Sequence, residues 1–188
     1  MRCVKLLSKD NFLSLAASTD DAELLVLIAE RLNTGDTVIE KNPSHAVRIL
    51  RKASALGSAE GQYRLGLAFL LGKNLGGGRY RSNGDLGRAL DQLNLAAEQD
   101  YVLAQLKLGF VYLGPPLFNY VKALRWFNRV VQTSPSLTSA RSASRGIAQI
   151  RAKVGRDQLK VLMAEASKPE TPKIPRRKKP APSGNSLA

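Results

Sequence analysis

Arg176-Arg177-Lys178-Lys179 is the densest run of one charge in this chain, and it follows a stretch in which Arg125, Arg129, Arg141, Arg145, Arg151 and Lys153 recur. Guanidinium and ammonium groups so gathered do one kind of chemistry. They attract and grip anions, whether a polynucleotide, an acidic protein or an anionic lipid surface. The charge is unevenly placed. Of 29 Lys and Arg and 15 Asp and Glu, residues 120–167 hold nine and two, residues 168–188 hold six and one, and the first 119 residues are nearly balanced. Those ten basic residues are the candidate contacts for a partner protein or a nucleic acid.

Catalytic chemistry has little to draw on. One His, His45, and one Cys, Cys3, supply neither a nucleophile with its base nor a ligand set with zinc spacing. A single Cys also rules out an internal disulfide, which fits a reducing compartment. The loop over 72–84 (GKNLGGGRYRSNG) has glycines suited to a phosphate, yet it lacks the Gly-Lys-Ser/Thr ending and follows a helical segment instead of a strand. Arg79, Tyr80 and Arg81 could still touch a phosphate or stack on a base. No enzyme activity, cofactor or metal site is expected.

The elements that must position these charges repeat. Residues 22–35 (AELLVLIAERLNTG) lie over 59–72 (AEGQYRLGLAFLLG) at constant shift, and Leu65-Gly66 with Phe69 returns as Leu108-Gly109 with Tyr112. First helices are therefore expected to start at Ala22, Ala59 and Val102. Second helices follow, with Ala46, Leu50 and Ala53, then Ala89, Leu93 and Ala96, then Ala123, Phe127 and Val130 on one face, at helical spacings of four and three. Asn42, Asp85 and Asn119 stand four residues before each leading Ala, where a side-chain oxygen can cap a first turn. Small residues at Ala29, Gly66 and Gly109 are expected where a second helix comes close at Ala46, Ala89 and Ala123, since Gly inside a helix otherwise costs about 1 kcal/mol.

LGLAFLLG at 65–72 with DLGRAL at 85–90, and LGFVYLG at 108–114 with NYVKALRWF at 119–127, resemble the Sel1-like repeats, relatives of tetratricopeptide repeats with longer, variable inner loops. The resemblance covers residues 22–134 and includes Trp126 of the DxxKAxxW pattern, for which the preceding copy has Gln92; NPSHA at 42–46 is degenerate. It implies an α-solenoid that binds other proteins in its groove, and it implies no reaction. Groove anchors would be apolar and aromatic side chains such as Tyr63, Tyr112, Tyr120 or Trp126, with several of these aromatics expected in the core rather than the groove.

Composition agrees, since 188 residues with 44% hydrophobic and only 6% aromatic suit Leu/Ala-rich helix stacking. The expected fold is all-α: a short α-solenoid of about three helical hairpins over 19–134, capping helices over 135–167 and a disordered, Pro-rich basic tail over 168–188. Helices are expected at 139–154, where Gly146 falls in the place of Gly109, and at 157–167. Residues 1–18 read as a helix over 4–17 packing on the first hairpin, or as a weak presequence. Lys9 and Asp10 break the apolar run a secretory signal needs. No stretch reaches the ~20 apolar residues of a membrane span. The expected setting is intracellular, cytoplasmic first, with mitochondrial or nuclear addresses as alternatives. Two functions remain: an adaptor that holds a partner peptide in its groove while the basic region meets an acidic partner, or a ribosomal or organellar ribonucleoprotein component docked through its basic third.

Overall fold

A computed structural model of the chain describes residues 9–35, 39–72 and 85–169. Among these there are nine helices and no strand. A first helix, α1 (Lys9–Ser18), leads into the hairpins α2 (Ala22–Thr34) with α3 (Pro43–Ala55), α4 (Ala59–Leu70) with α5 (Leu86–Glu98), and α6 (Val102–Leu113) with α7 (Tyr120–Thr133). The long α8 (Leu137–Val154) and α9 (Arg156–Ala166) follow. First helices begin at Ala22, Ala59 and Val102, where the repeat pattern puts them. Two expectations shift slightly: α8 starts at Leu137 because Ser136 caps it, and α9 starts at Arg156 directly after Gly155, whose φ of 83° turns the chain. The N-terminal helix is described from Lys9 and reaches Ser18.

Each second helix opens on the expected cap. The side-chain oxygens of Asn42, Asp85 and Asn119 accept from the backbone N–H of His45, Arg88 and Lys122 at 3.0 to 3.1 Å. The same three residues also close the loops. Asn42 N–H donates to the Leu32 carbonyl at 2.7 Å, Asp85 N–H to Phe69 at 3.0 Å and Asn119 N–H to Tyr112 at 2.8 Å. Leu32, Phe69 and Tyr112 hold one repeat position, so three loops of unequal length leave and rejoin the stack through one bond. Above that stem a basic side chain lies over the ring: Arg88 over Phe69 and Lys122 over Tyr112, at 5.9 and 5.3 Å from the centroids. His45 fills that place in the first copy, where its Nδ1 is 3.1 Å from Asn42 Nδ2.

The glycines explain how closely the helices stack. A Cβ on Gly66 would lie 2.8 Å from Leu93 Cγ and 3.3 Å from the Ala89 carbonyl oxygen. On Gly109 it would strike the Phe127 ring, 2.7 Å from Cδ1. The nearest atoms thus belong to Leu93 and Phe127, one turn beyond Ala89 and Ala123, which are themselves fully buried. Gly146 of α8 meets the same Phe127 ring, at Cζ and Cε2. That ring therefore joins α6, α7 and α8, and Phe110 packs edge-on against it with centroids 5.0 Å apart. The apolar interior divides along α5: Ala89 closes a cluster built on α2, α3 and α4, and Leu93 opens a second that runs to Leu159 and Ala166 of α9. α9 packs on α7 and α8 and adds Leu159 and Ala166 to this second cluster.

Candidate functional site

Helical geometry selects one stripe on each first helix. Positions 23, 27, 30 and 34 of α2 fall within roughly 60° of arc. They hold Glu23, Leu27, Glu30 and Thr34; the equivalents are Glu60, Arg64, Leu67 and Leu71 of α4, and Leu103, Lys107, Phe110 and Gly114 of α6. None of the twelve is buried. Leu27, Leu71, Leu103 and Phe110 are 48%, 62%, 47% and 38% exposed, so the stripe keeps at least one large apolar side chain in water on each of three successive first helices, at differing repeat positions. Isolated exposed leucines are ordinary, whereas a row of them across neighbouring helices marks a contact surface.

Charge along the stripe changes in order. Glu23 and Glu30 stand on α2, Glu60 and Arg64 on α4, Lys107 on α6, and the same register continued to α8 gives Ala140, Ser144, Ile147 and Arg151. Arg64 links two helices, with Nη2 3.4 Å from Glu30 Oε1 and 2.7 Å from Glu60 Oε1. Burial opposes its charge, but the Glu60 hydrogen bond and both carboxylates outweigh that and raise its pKa above the ordinary value. Beside it, Tyr63 and Tyr101 pack with centroids 5.3 Å apart, and burial pushes both phenols up.

The basic candidates separate into two groups. Arg141, Arg145, Arg151 and Lys153 are exposed on α8, with Lys153 5.6 Å above the Phe118 ring. Arg125 and Arg129 of α7 are instead engaged by neighbouring parts of the fold, Arg129 at its surface. Arg125 donates from Nε to the Ala166 carbonyl and from Nη2 to that of Lys168, both at 3.2 Å, closing the C-terminal end of α9. Arg129 donates to Asp100 Oδ1 at 2.7 Å and lies 5.8 Å over the Trp126 ring. Arg176, Arg177, Lys178 and Lys179 lie outside the described residues, as do Cys3, Arg79, Tyr80 and Arg81.

A family model for the Sel1 repeat matches residues 23–58, 59–101 and 102–129, so its second and third units begin where α4 and α6 begin. The chain belongs to the Sel1 repeat family. Among solved structures, a protective antigen of uropathogenic Escherichia coli displaying an SLR fold superposes with a TM-score of 0.63 at 18% identity, over 84% of this chain and 32% of its own. The chain thus spans about a third of the antigen's length. A Sel1 repeat protein from Oxalobacter formigenes gives a TM-score of 0.55 at 22% identity, over 72% of this chain and 96% of its own. Both likenesses concern the fold. No curated protein sequence matches the chain.

Within the Sel1 units the signature residues Ala29, Gly66, Gly109, Ala46, Ala89 and Ala123 are all buried where helices meet. Trp126 is half-buried against the C-terminal cluster, and Gln92, its counterpart one unit earlier, accepts from the Ser54 hydroxyl at 2.6 Å, joining α5 to α3. The aromatic groove candidates are drawn inward: Tyr112 is buried, and Tyr63, Tyr120 and Trp126 are half-buried. The outward face is Leu-rich instead. Sequence reasoning also missed Gln62 and Gln105, the buried polar residues among those described. They share one repeat position, and each donates Nε2 to a carbonyl at the end of the preceding second helix, Ser54 and Ala97, at 3.5 and 3.1 Å. The signal was their alignment in the superposed segments, a Gln in an otherwise apolar register. Among the described residues no three His, Cys, Asp or Glu side chains come together as a metal ion requires, and no helix is long and apolar enough to cross a membrane.

Proposed function

We propose that the protein is a non-enzymatic adaptor that holds a peptide or helix of another protein along the first-helix face of its Sel1 repeats, inside the cell, while the exposed arginines of α8 meet an acidic surface of the same partner. The observation that carries this reading is the row of exposed Leu27, Leu71, Leu103 and Phe110 on successive first helices. Sel1 repeats generally serve as scaffolds for protein–protein interaction. Burying such a row gives a partner its affinity, and the surrounding charges give orientation and rate.

Leu27→Asp and Leu103→Asp alter the row without touching the buried interior. Both variants are expected to keep the far-ultraviolet dichroism and melting of the parent while losing the partners that the immobilised parent retains. Retention of the same partners by both variants overturns the reading. The ribonucleoprotein alternative draws on the basic charge after residue 120, of which Arg141, Arg145, Arg151 and Lys153 are exposed. Its signature is loss of partners on nuclease treatment and a steep decline of binding with salt, because phosphate contacts release counterions.

A further inference from the structure

The first-helix face is not uniform, because between α2 and α4 it opens into a notch of about 170 Å³. Ala29 and Asn33 of α2 form one wall, Ala68 and Leu71 of α4 the other, and Val47 and Leu50 of α3 the floor. The Glu30–Arg64 ion pair stands at its rim. A dry cavity of about 150 Å³ accepts a benzene ring, so the notch has room for one Leu, Ile, Met or Phe side chain.

Small residues keep it open. At the corresponding positions one repeat on, Asn33, Val47 and Ala68 give way to Leu70, Leu90 and Val111. Those three are half-buried, and Leu70 and Leu90 pack against the second apolar cluster. The same backbone arrangement is therefore filled from within between α4 and α6, and left to be filled from outside between α2 and α4. Around it the stripe runs from Glu23 and Glu30, through the neutral Glu60 and Arg64 pair, to Lys107 and Arg151. A segment laid across the first helices meets opposite charge at its two ends.

We propose that this notch takes the bulky apolar anchor of a peptide segment of another protein, lying with a basic end over Glu23 and Glu30 and an acidic end over Lys107 and Arg151. This rests on the adaptor reading above and adds what the partner segment must look like. Seating a Leu-sized side chain in an apolar pocket strengthens binding by at least about tenfold over Ala.

The test uses a random 16-residue peptide library displayed on phage and selected on the immobilised full chain. A second selection uses the Asn33→Leu/Ala68→Val double variant, which installs the residues the next repeat already carries and is checked for an unchanged dichroism spectrum. Expected are enriched peptides with one Leu, Ile, Met or Phe, Lys or Arg to one side of it and Asp or Glu to the other. Synthesised, they should weaken at least about tenfold on the double variant and on replacing the anchor by Ala, and Glu23→Lys should weaken them too. Peptides that bind parent and double variant equally but fail on Leu103→Asp overturn the notch and leave the adaptor reading standing. Peptides of purely acidic composition that depend on Arg141 and Arg145 overturn it as well. No enrichment over bare support on either protein removes both readings.

Discussion

Gly146→Ala is the substitution on which the stacking argument is most exposed. In isolation it should stabilise, because Ala in a helix interior is favoured over Gly by about 1 kcal/mol. Here the new Cβ enters the Phe127 ring's space, 2.8 Å from Cε1, closer than carbon atoms settle. The ring has little room to step aside: Phe127 has no solvent exposure, Gly109 of α6 also abuts it and Phe110 packs on it at 5.0 Å. Overpacking of this kind costs about 1 to 3 kcal/mol, and a ring with little room to move takes the upper half of that range, about 2 to 3 kcal/mol, so the net loss after the propensity gain should be about 1 to 2 kcal/mol. For a chain of this size that lowers Tm by about 2 to 8 °C, read from thermal dichroism at 222 nm. Phe127→Leu supplies the control. It opens a void by itself, but in the Gly146→Ala background the void receives the methyl group, so the two changes should couple favourably by about 1 kcal/mol in a double-mutant cycle. A Gly146→Ala protein as stable as the parent, or a cycle that adds without coupling, refutes the close contact of α6, α7 and α8 around one ring.

Arg125→Met keeps much of the aliphatic stem but strips the α9 terminus of its two donors, and should cost about 1 to 2 kcal/mol with faster amide exchange confined to α9. The hydrogen bond and charge of Arg129 hold the Asp100 carboxyl below its ordinary range. Its contribution is therefore complete above about pH 4 and disappears as pH falls through the lower folded-state value, so Asp100→Asn should lower stability slightly at neutral pH, flatten the acid limb of a stability–pH curve and converge on the parent at low pH. Gln105→Leu removes the Nε2 bonds to the Ala97 carbonyl and Asp100 Oδ1, but the carbonyl keeps the Asp100 N–H and the buried, unpartnered Oε1 goes too, so the loss in urea unfolding should be no more than about 1 kcal/mol.

Helix starts and caps were readable because they are local: a side-chain oxygen, a small residue and an apolar spacing of four and three fall within one or two turns. Ala22, Ala59 and Val102 follow from that alone. The relation between Gly109 and Gly146 was also readable as a shared place in the repeat. What they share, contact with the Phe127 ring, was not, since residues 109, 127 and 146 meet only once three helices have packed. Arg125 shows the same limit of local reading. Its charge counts toward a basic surface in the sequence, yet it caps a helix that ends 41 residues later. The docking face was half legible: the repeats implied a groove and several of the aromatics read as core, as Tyr112 is, but the exposed Leu27, Leu71 and Leu103 were not singled out. The notch depends on the small Asn33 and Ala68 against the larger Leu70 and Val111, a difference that repeat alignment treats as noise.

The bonds from Asn42, Asp85 and Asn119 to the carbonyls of Leu32, Phe69 and Tyr112 make each inter-helix loop a graft site with fixed posts. Closure entropy grows only with the logarithm of loop length, by about 0.6 kcal/mol per doubling. A foreign segment spliced between Phe69 and Asp85 therefore alters what the molecule displays while the posts, and the helices behind them, stay put.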